Sequence, residues 1–143
     1  MYGTEADFES DLRRMIDNSR PDNVMCKQQH ALGRKYAFDV LLWEKANEAE
    51  DIGDTKKMVI IELKYVRMDW VDKNHDNSYK LGPKHSYKTF EEHKEDADLP
   101  GRVAAAKSAS KNAECYALFI MAIHGGSYKV GSYFPQKKGP PTC

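Results

Sequence analysis

The residues with the clearest chemical potential are Asp39, Glu62 and Lys64. Glu62 and Lys64 interrupt an apolar, β-branched run, Met58-Val59-Ile60-Ile61-Glu62-Leu63-Lys64-Tyr65-Val66, which predicts a buried strand. Strand side chains alternate between faces, so Glu62 and Lys64 project to the same side. Asp39 stands alone in a second apolar run, Tyr36-Ala37-Phe38-Asp39-Val40-Leu41-Leu42. Burying a charge is costly unless it is paired or bound to a metal. Two neighbouring strands that each bring a carboxylate, with a lysine beside one of them, can hold a hard divalent cation and an activated water. The competing reading is plainer: an exposed Glu62–Lys64 ion pair at a solvated sheet edge, of the kind that contributes little.

Bringing these groups together needs adjacent strands and helices to cover them. Phe8, Leu12, Met15 and Ile16 fall at helical spacing, and Thr4 can cap a helix over 4–18 with acids in its first turn. Arg20-Pro21-Asp22-Asn23 ends it. Strands are predicted over 24–31, 34–44 and 56–67, the second and third joined by a bend at Gly53-Asp54 as a hairpin. From Met68 to Pro100 the chain turns polar, with turn residues at Asn74, Asp76, Asn77, Gly82 and Pro83. This stretch reads as an insertion or lid, with a short helix over 87–97. An Ala- and Lys-rich helix over 101–112 follows, then an apolar strand over 114–124 buried on both faces and an edge strand over 128–134. The tail from Pro135 is rich in Lys, Gly and Pro and reads as loose. The result is a single α/β domain over 1–143, with helices packed on one sheet.

At 143 residues, 41% hydrophobic and 31% charged, the chain fits one domain with a proper core. No apolar run approaches the roughly 20 residues of a membrane helix, and the acidic, polar N-terminus does not read as a secretory signal. Cys26, Cys115 and Cys143 are few, odd in number and far apart, which argues against a disulfide scaffold or zinc ribbon. They predict free thiols in a reducing, cytoplasmic setting. The net charge of zero hides an asymmetry. From Leu99 onward there are six basic residues against one acid, and up to Asp22 there are six acids against three arginines. A basic C-terminal third could face phosphates while acids elsewhere hold a metal.

Asp39, followed after a hairpin by Glu62-Leu63-Lys64 inside an apolar strand, resembles the PD-(D/E)XK nuclease superfamily, the restriction-endonuclease-like fold. Phe38 stands where the motif name has proline. The resemblance implies an αβββαβ core, a mixed sheet of four to five strands flanked by helices, with the 68–100 insertion between the third strand and the second core helix. It implies a metal-dependent endonuclease that hydrolyses phosphodiester bonds, with DNA ahead of RNA as the expected substrate and the choice between them left open by the sequence. Mg²⁺ or Mn²⁺ prefers oxygen ligands. Asp39 and Glu62 would supply two, and the resemblance implies the carbonyl of Leu63 as a third. Lys64 would orient or deprotonate the attacking water and offset developing charge. The family often places a glutamate on the first helix. Glu9 is the expected catalytic acid there, with Glu5 on the same stripe.

In the same fold the Ala-Lys helix flanks the site, so Lys107, Arg102 and Lys111 are expected nucleic-acid contacts. Lys27 or Gln28 could approach the site from the first strand. Tyr79, Tyr87 or Trp70 could stack on unpaired bases, with Lys80, Lys84 and Lys88 on the backbone. His75, His85 and His93 match no zinc-ligand spacing. A single small domain offers little surface for reading bases, so a homodimer or partner protein is expected where sequence specificity is needed, and no membrane partner. Two other functions fit the same residues. One is a catalytically inactive module of this fold that binds nucleic acid or protein. The other is a metal-independent ribonuclease using a histidine such as His93 or His124.

Overall fold

The computed structural model describes residues 5–32, 36–45, 52–72, 74, 78–123 and 127–135, with the backbone alone for 28–32. Helix α1 (Glu5–Ser19) follows its apolar stripe: Phe8 is buried, and Leu12 and Ile16 pack beside it. Strands β1 (Val24–Leu32), β2 (Tyr36–Glu44) and β3 (Lys57–Val66) form an antiparallel meander. A short 3-10 turn, Ile52–Asp54, covers the expected Gly53-Asp54 bend. It is followed by the buried Thr55, whose hydroxyl oxygen lies 2.5 Å from the Glu44 carbonyl and 3.0 Å from the Lys57 carbonyl.

The 68–100 stretch carries short elements of its own among the described residues. A 3-10 turn, Met68–Trp70, leads into a small antiparallel pair, β4 (Val71–Asp72) and β5 (Ser78–Tyr79), and then α2 (Phe90–Asp96). Tyr79 is only 2% exposed and belongs to the main core, with Trp70, Leu81 and Phe90 packed against it. Single apolar residues at wide intervals anchor a polar segment, so no periodicity announces the fold. Tyr79 and Trp70 are therefore committed to packing. Tyr87 stays exposed, with the Lys80 ammonium 5.3 Å from its ring centre. His75, Asp76 and His124, and the chain beyond Pro135, lie outside the described residues.

Helix α3 (Leu99–Ala109) starts two residues before its predicted start, with Pro100 inside its first turn, where a missing N–H costs nothing. Strand β6 (Glu114–Ile123) runs parallel to β3, in register from Lys57–Glu114 to Val66–Ile123. Edge strand β7 (Ser127–Tyr133) completes a mixed five-stranded sheet of order β1-β2-β3-β6-β7. The expectation that β6 is buried on both faces holds in full on one face, while on the other only Ala122 is fully buried. Cys115, Ala117, Phe119 and Met121 are buried toward α3, while Tyr116, Leu118 and Ile120 are half-buried, because α1 packs against β1 and β3. The sheet thus divides two cores. One, under α2 and α3, holds Phe38, Leu41, Met58, Ile60, Leu99 and Phe119, and the other, under α1, holds Phe8, Val40, Ile61, Leu63 and Tyr65. No helix among the described residues is long and apolar enough to cross a membrane.

Candidate functional site

Asp39 marks the point where two strands part. The β2–β3 ladder runs from Trp43–Met58 to Val40–Ile61 and stops. One further step would set Asp39 opposite Glu62. There the Leu63 N–H instead donates to Asp39 Oδ2 at 2.8 Å. A side-chain carboxylate replaces the backbone acceptor, and the strands open. Within a strand a residue's C=O points to the same edge as its N–H, so the Leu63 carbonyl also faces the opening. The alternation of β2 breaks here too. Trp43 and Leu41 lie on the α3 side and Val40 on the α1 side, yet Phe38 returns to the α3-side core.

Glu62 occupies the deepest position, 5% exposed. Burial first, then hydrogen-bonding contact with Asp39 and the charge of Asp39, push its carboxyl up to about 9, against the lowering fields of Arg102 and Lys64. Arg102 Nη1 lies 2.8 Å from Glu62 Oε2, but no N–H is directed at that oxygen, which is buried without a hydrogen-bond partner. The distance alone would describe a strong ion pair. The direction of the shift says that burial beside a second carboxyl outweighs it.

Lys64 is half-buried and lowers the Glu62 carboxyl, as expected for a neighbour on the same face. On the first helix it is Glu5 that feels the site. Glu5 is exposed, yet partial desolvation raises its carboxyl most, Lys64 lowers it, and Asp39 and Glu9 raise it. The expected Glu9 is half-buried one turn further along, where its field reaches Glu5. One turn of α1 separates the two.

The expected phosphate contacts on α3 divide. Arg102 faces inward, with its side chain 16% exposed. Lys107 is exposed and lies near Cys115, at the far end of β6 from Phe119, the register partner of Glu62. Lys111 is exposed beyond the helix end. Helical rise alone carries Lys107 about 7.5 Å past Arg102, so Lys107 and Lys111 leave the site behind. On β1, the Lys27 ammonium lies over the Trp43 ring at 5.7 Å, and the side chain of Gln28 falls outside the description.

Two residues beside the site went unpredicted, Tyr36 and Asp98. Asp98 caps α3 by accepting from Gly101 N at 3.2 Å, and the Tyr36 hydroxyl donates to its other oxygen. Asp98 holds a left-handed backbone, φ 52°, which aspartate tolerates better than most residues. A Cβ on Gly101 would collide with the Asp98 carboxylate and the Tyr36 hydroxyl. The Asp-Leu-Pro-Gly run carries a readable helix-start signal. Its contact with β2 has none.

The donor set suits a hard cation. Two carboxyls in contact, one of them buried, and a carbonyl at the strand opening are oxygen donors of the kind a hard divalent cation takes together with waters. Among the described residues no group of three or more His, Cys, Asp or Glu side chains is arranged to hold a metal. His85 is exposed, and the buried His93 has its Nε2 2.7 Å from the Tyr79 carbonyl. Compared with known proteins, the chain matches no family model, no curated protein and no solved structure.

Proposed function

We propose that this chain is a metal-dependent endonuclease that hydrolyses phosphodiester bonds in DNA with Mg²⁺ or Mn²⁺. One observation carries the reading: Asp39 and Glu62 meet at the parting of β2 and β3, with Leu63 between them and Lys64 on the face of Glu62. The order of helix, three-stranded meander, helix and parallel strand supports a restriction-endonuclease-like core. Asp39, Glu62 and the Leu63 carbonyl would hold the cation. Such a cation would supply Lewis acidity toward a phosphate oxygen and lower the pKa of a bound water. Lys64 orients that water and places positive charge where negative charge develops. Glu5 sits where it can steady Lys64 from the α1 side.

The test is a cleavage panel of single-stranded, duplex and branched DNA and of RNA, with Mn²⁺ and with EDTA. Cleavage is expected with the metal and none with the chelator. Asp39→Asn and Glu62→Gln are expected to remove turnover while circular dichroism stays native. Lys64→Met is expected to cost about 10²–10⁴-fold in kcat, the usual weight of a positioned acid–base group. Full activity in the Glu62→Gln protein ends this reading. Salt-dependent binding without cleavage would assign the chain to the inactive-module alternative instead.

A further inference from the structure

Arg102 is placed unlike any other basic residue of α3. It sits one turn inside the helix, and its side chain crosses to β2. Its Nε donates to the Ala97 carbonyl at 2.7 Å, and Nη1 donates to the Ala37 carbonyl at 3.1 Å. Its guanidinium carbon lies 5.0 Å from the Tyr36 ring centre and 5.9 Å from that of Phe38. Tyr36 is itself held by Asp98 at the cap of the same helix. The group is therefore fixed between the α2–α3 corner and the start of β2 before Glu62 is considered. Glu62 Oε2 then lies 2.8 Å from Nη1, yet the directed N–H bonds go to the two carbonyls. A carboxylate attracted by charge, but given no hydrogen bond, keeps its lone pairs open.

We propose that Arg102 is a positioning residue that fixes the Glu62 side chain beside Asp39 and stabilises its carboxylate when a divalent cation is bound, while leaving Oε2 free to ligate that cation. The inference rests on the nuclease reading above. It requires arginine rather than any cation. A planar fork can spend two N–H groups on carbonyls, lie against aromatic faces and still present charge to a third group. A lysine is a hydrated point charge with rotating donors and would give its protons to the carboxylate itself.

The experiment measures Mn²⁺ binding to the full chain without nucleic acid, from the electron paramagnetic resonance signal of free Mn²⁺, alongside cleavage. Arg102→Lys and Arg102→Met are both expected to weaken Mn²⁺ binding about 10–100-fold, the usual effect of removing a group that orients a ligand. The Mn²⁺ concentration needed for half-maximal cleavage should rise more than kcat falls. Thr55→Val, which loses buried hydrogen bonding at the far end of β2 and β3 and touches neither α2 nor α3, is expected to bind Mn²⁺ as the wild type does. That comparison separates lost stability from lost positioning. Wild-type affinity in Arg102→Lys would overturn the proposal, since charge alone would then suffice. Tighter binding in Arg102→Met would overturn it too, since Arg102 would then be competing with the metal. If Arg102→Met does not fold, Arg102→Lys, which keeps the charge, decides alone. A wild-type chain that neither binds Mn²⁺ nor cleaves sinks the nuclease reading itself, whereas a wild type that does both, with unaffected Arg102 variants, sinks this inference only.

Discussion

Glu62 is a carboxyl group in a place where ionisation is costly. Its folded value of about 9 stands above the ordinary 4.5 because it is buried against Asp39. Between those values the folded chain keeps a proton that the unfolded chain has lost, so stability falls as pH rises through that window. The thermal midpoint of the EDTA-treated protein is therefore expected to decline from about pH 5 to about pH 9, and Glu62→Gln is expected to flatten that part of the profile. An equal slope in both proteins would show that Glu62 is not the group responsible. A cation held between Asp39 and Glu62 replaces this proton, so Mn²⁺ is expected to raise the midpoint more at pH 8 than at pH 5. Equal stabilisation at both pH values would mean the metal binds elsewhere. Asp39, Glu62 and Lys64 were legible in the sequence because charge inside an apolar strand is conspicuous. Arg102 was not, because an arginine in an Ala-Lys helix looks the same whether it faces water or a buried acid.

The α2–α3 corner is the element that fixes Arg102, and its own supports are local. Thr89 and Glu92 form a reciprocal capping box, with Glu92 N to Thr89 Oγ1 at 3.2 Å and Thr89 N to Glu92 Oε1 at 3.1 Å. Thr89→Ala is expected to lower stability by about 1 kcal/mol in urea titration, and no change would mean that water replaces the cap. These bonds to Thr89 hold Glu92 below its usual range, and Lys88 does the same for Asp96 at 2.7 Å. Stability from these two acids is present above their ordinary values and is lost as pH falls through the lowered ones, so α2 should loosen on the acid side. Gly101→Ala forces a methyl onto the Asp98–Tyr36 contact and is expected to cost about 1–3 kcal/mol, as overpacking does. A neutral result in the same titration would show that the contact yields freely. Most elements could be read from periodicity: α1, the meander, β6 and β7 each fall close to their predicted limits. The corner could not. Pro100 looked like the end of a loop because proline breaks helix interiors, yet it sits in the first turn, where it is tolerated. Tyr79 and Trp70 gave no sign of burial because their partners are far away in sequence.

At the scale of the whole molecule, the sheet is a partition and the site lies on its boundary. Arg102 and Glu62 meet on the α3 side, while Glu5 arrives from α1 across the parted ends of β2 and β3. The basic residues of the C-terminal third take different places in the fold. Arg102 turns inward, Lys107 and Lys111 lie past the site, and the Lys129 ammonium lies 5.8 Å from the Tyr79 ring centre. Composition cannot report this, because it counts charges without saying which strand or helix face carries them. The partition itself can be tested with two neighbours in the chain. Ile60 is buried under α3 and Ile61 under α1, in clusters that share no buried residue. Ile60→Val and Ile61→Val are each expected to cost about 0.5–1.5 kcal/mol, and the double variant should equal their sum to within about 0.5 kcal/mol. A larger coupling, measured by urea unfolding of the four proteins, would mean that the strand transmits packing changes from one face to the other. Additivity would mean that the two cores meet functionally only where the strands part, so that Ile61→Val disturbs the approach of Glu5 and leaves the Arg102–Glu62 contact in place.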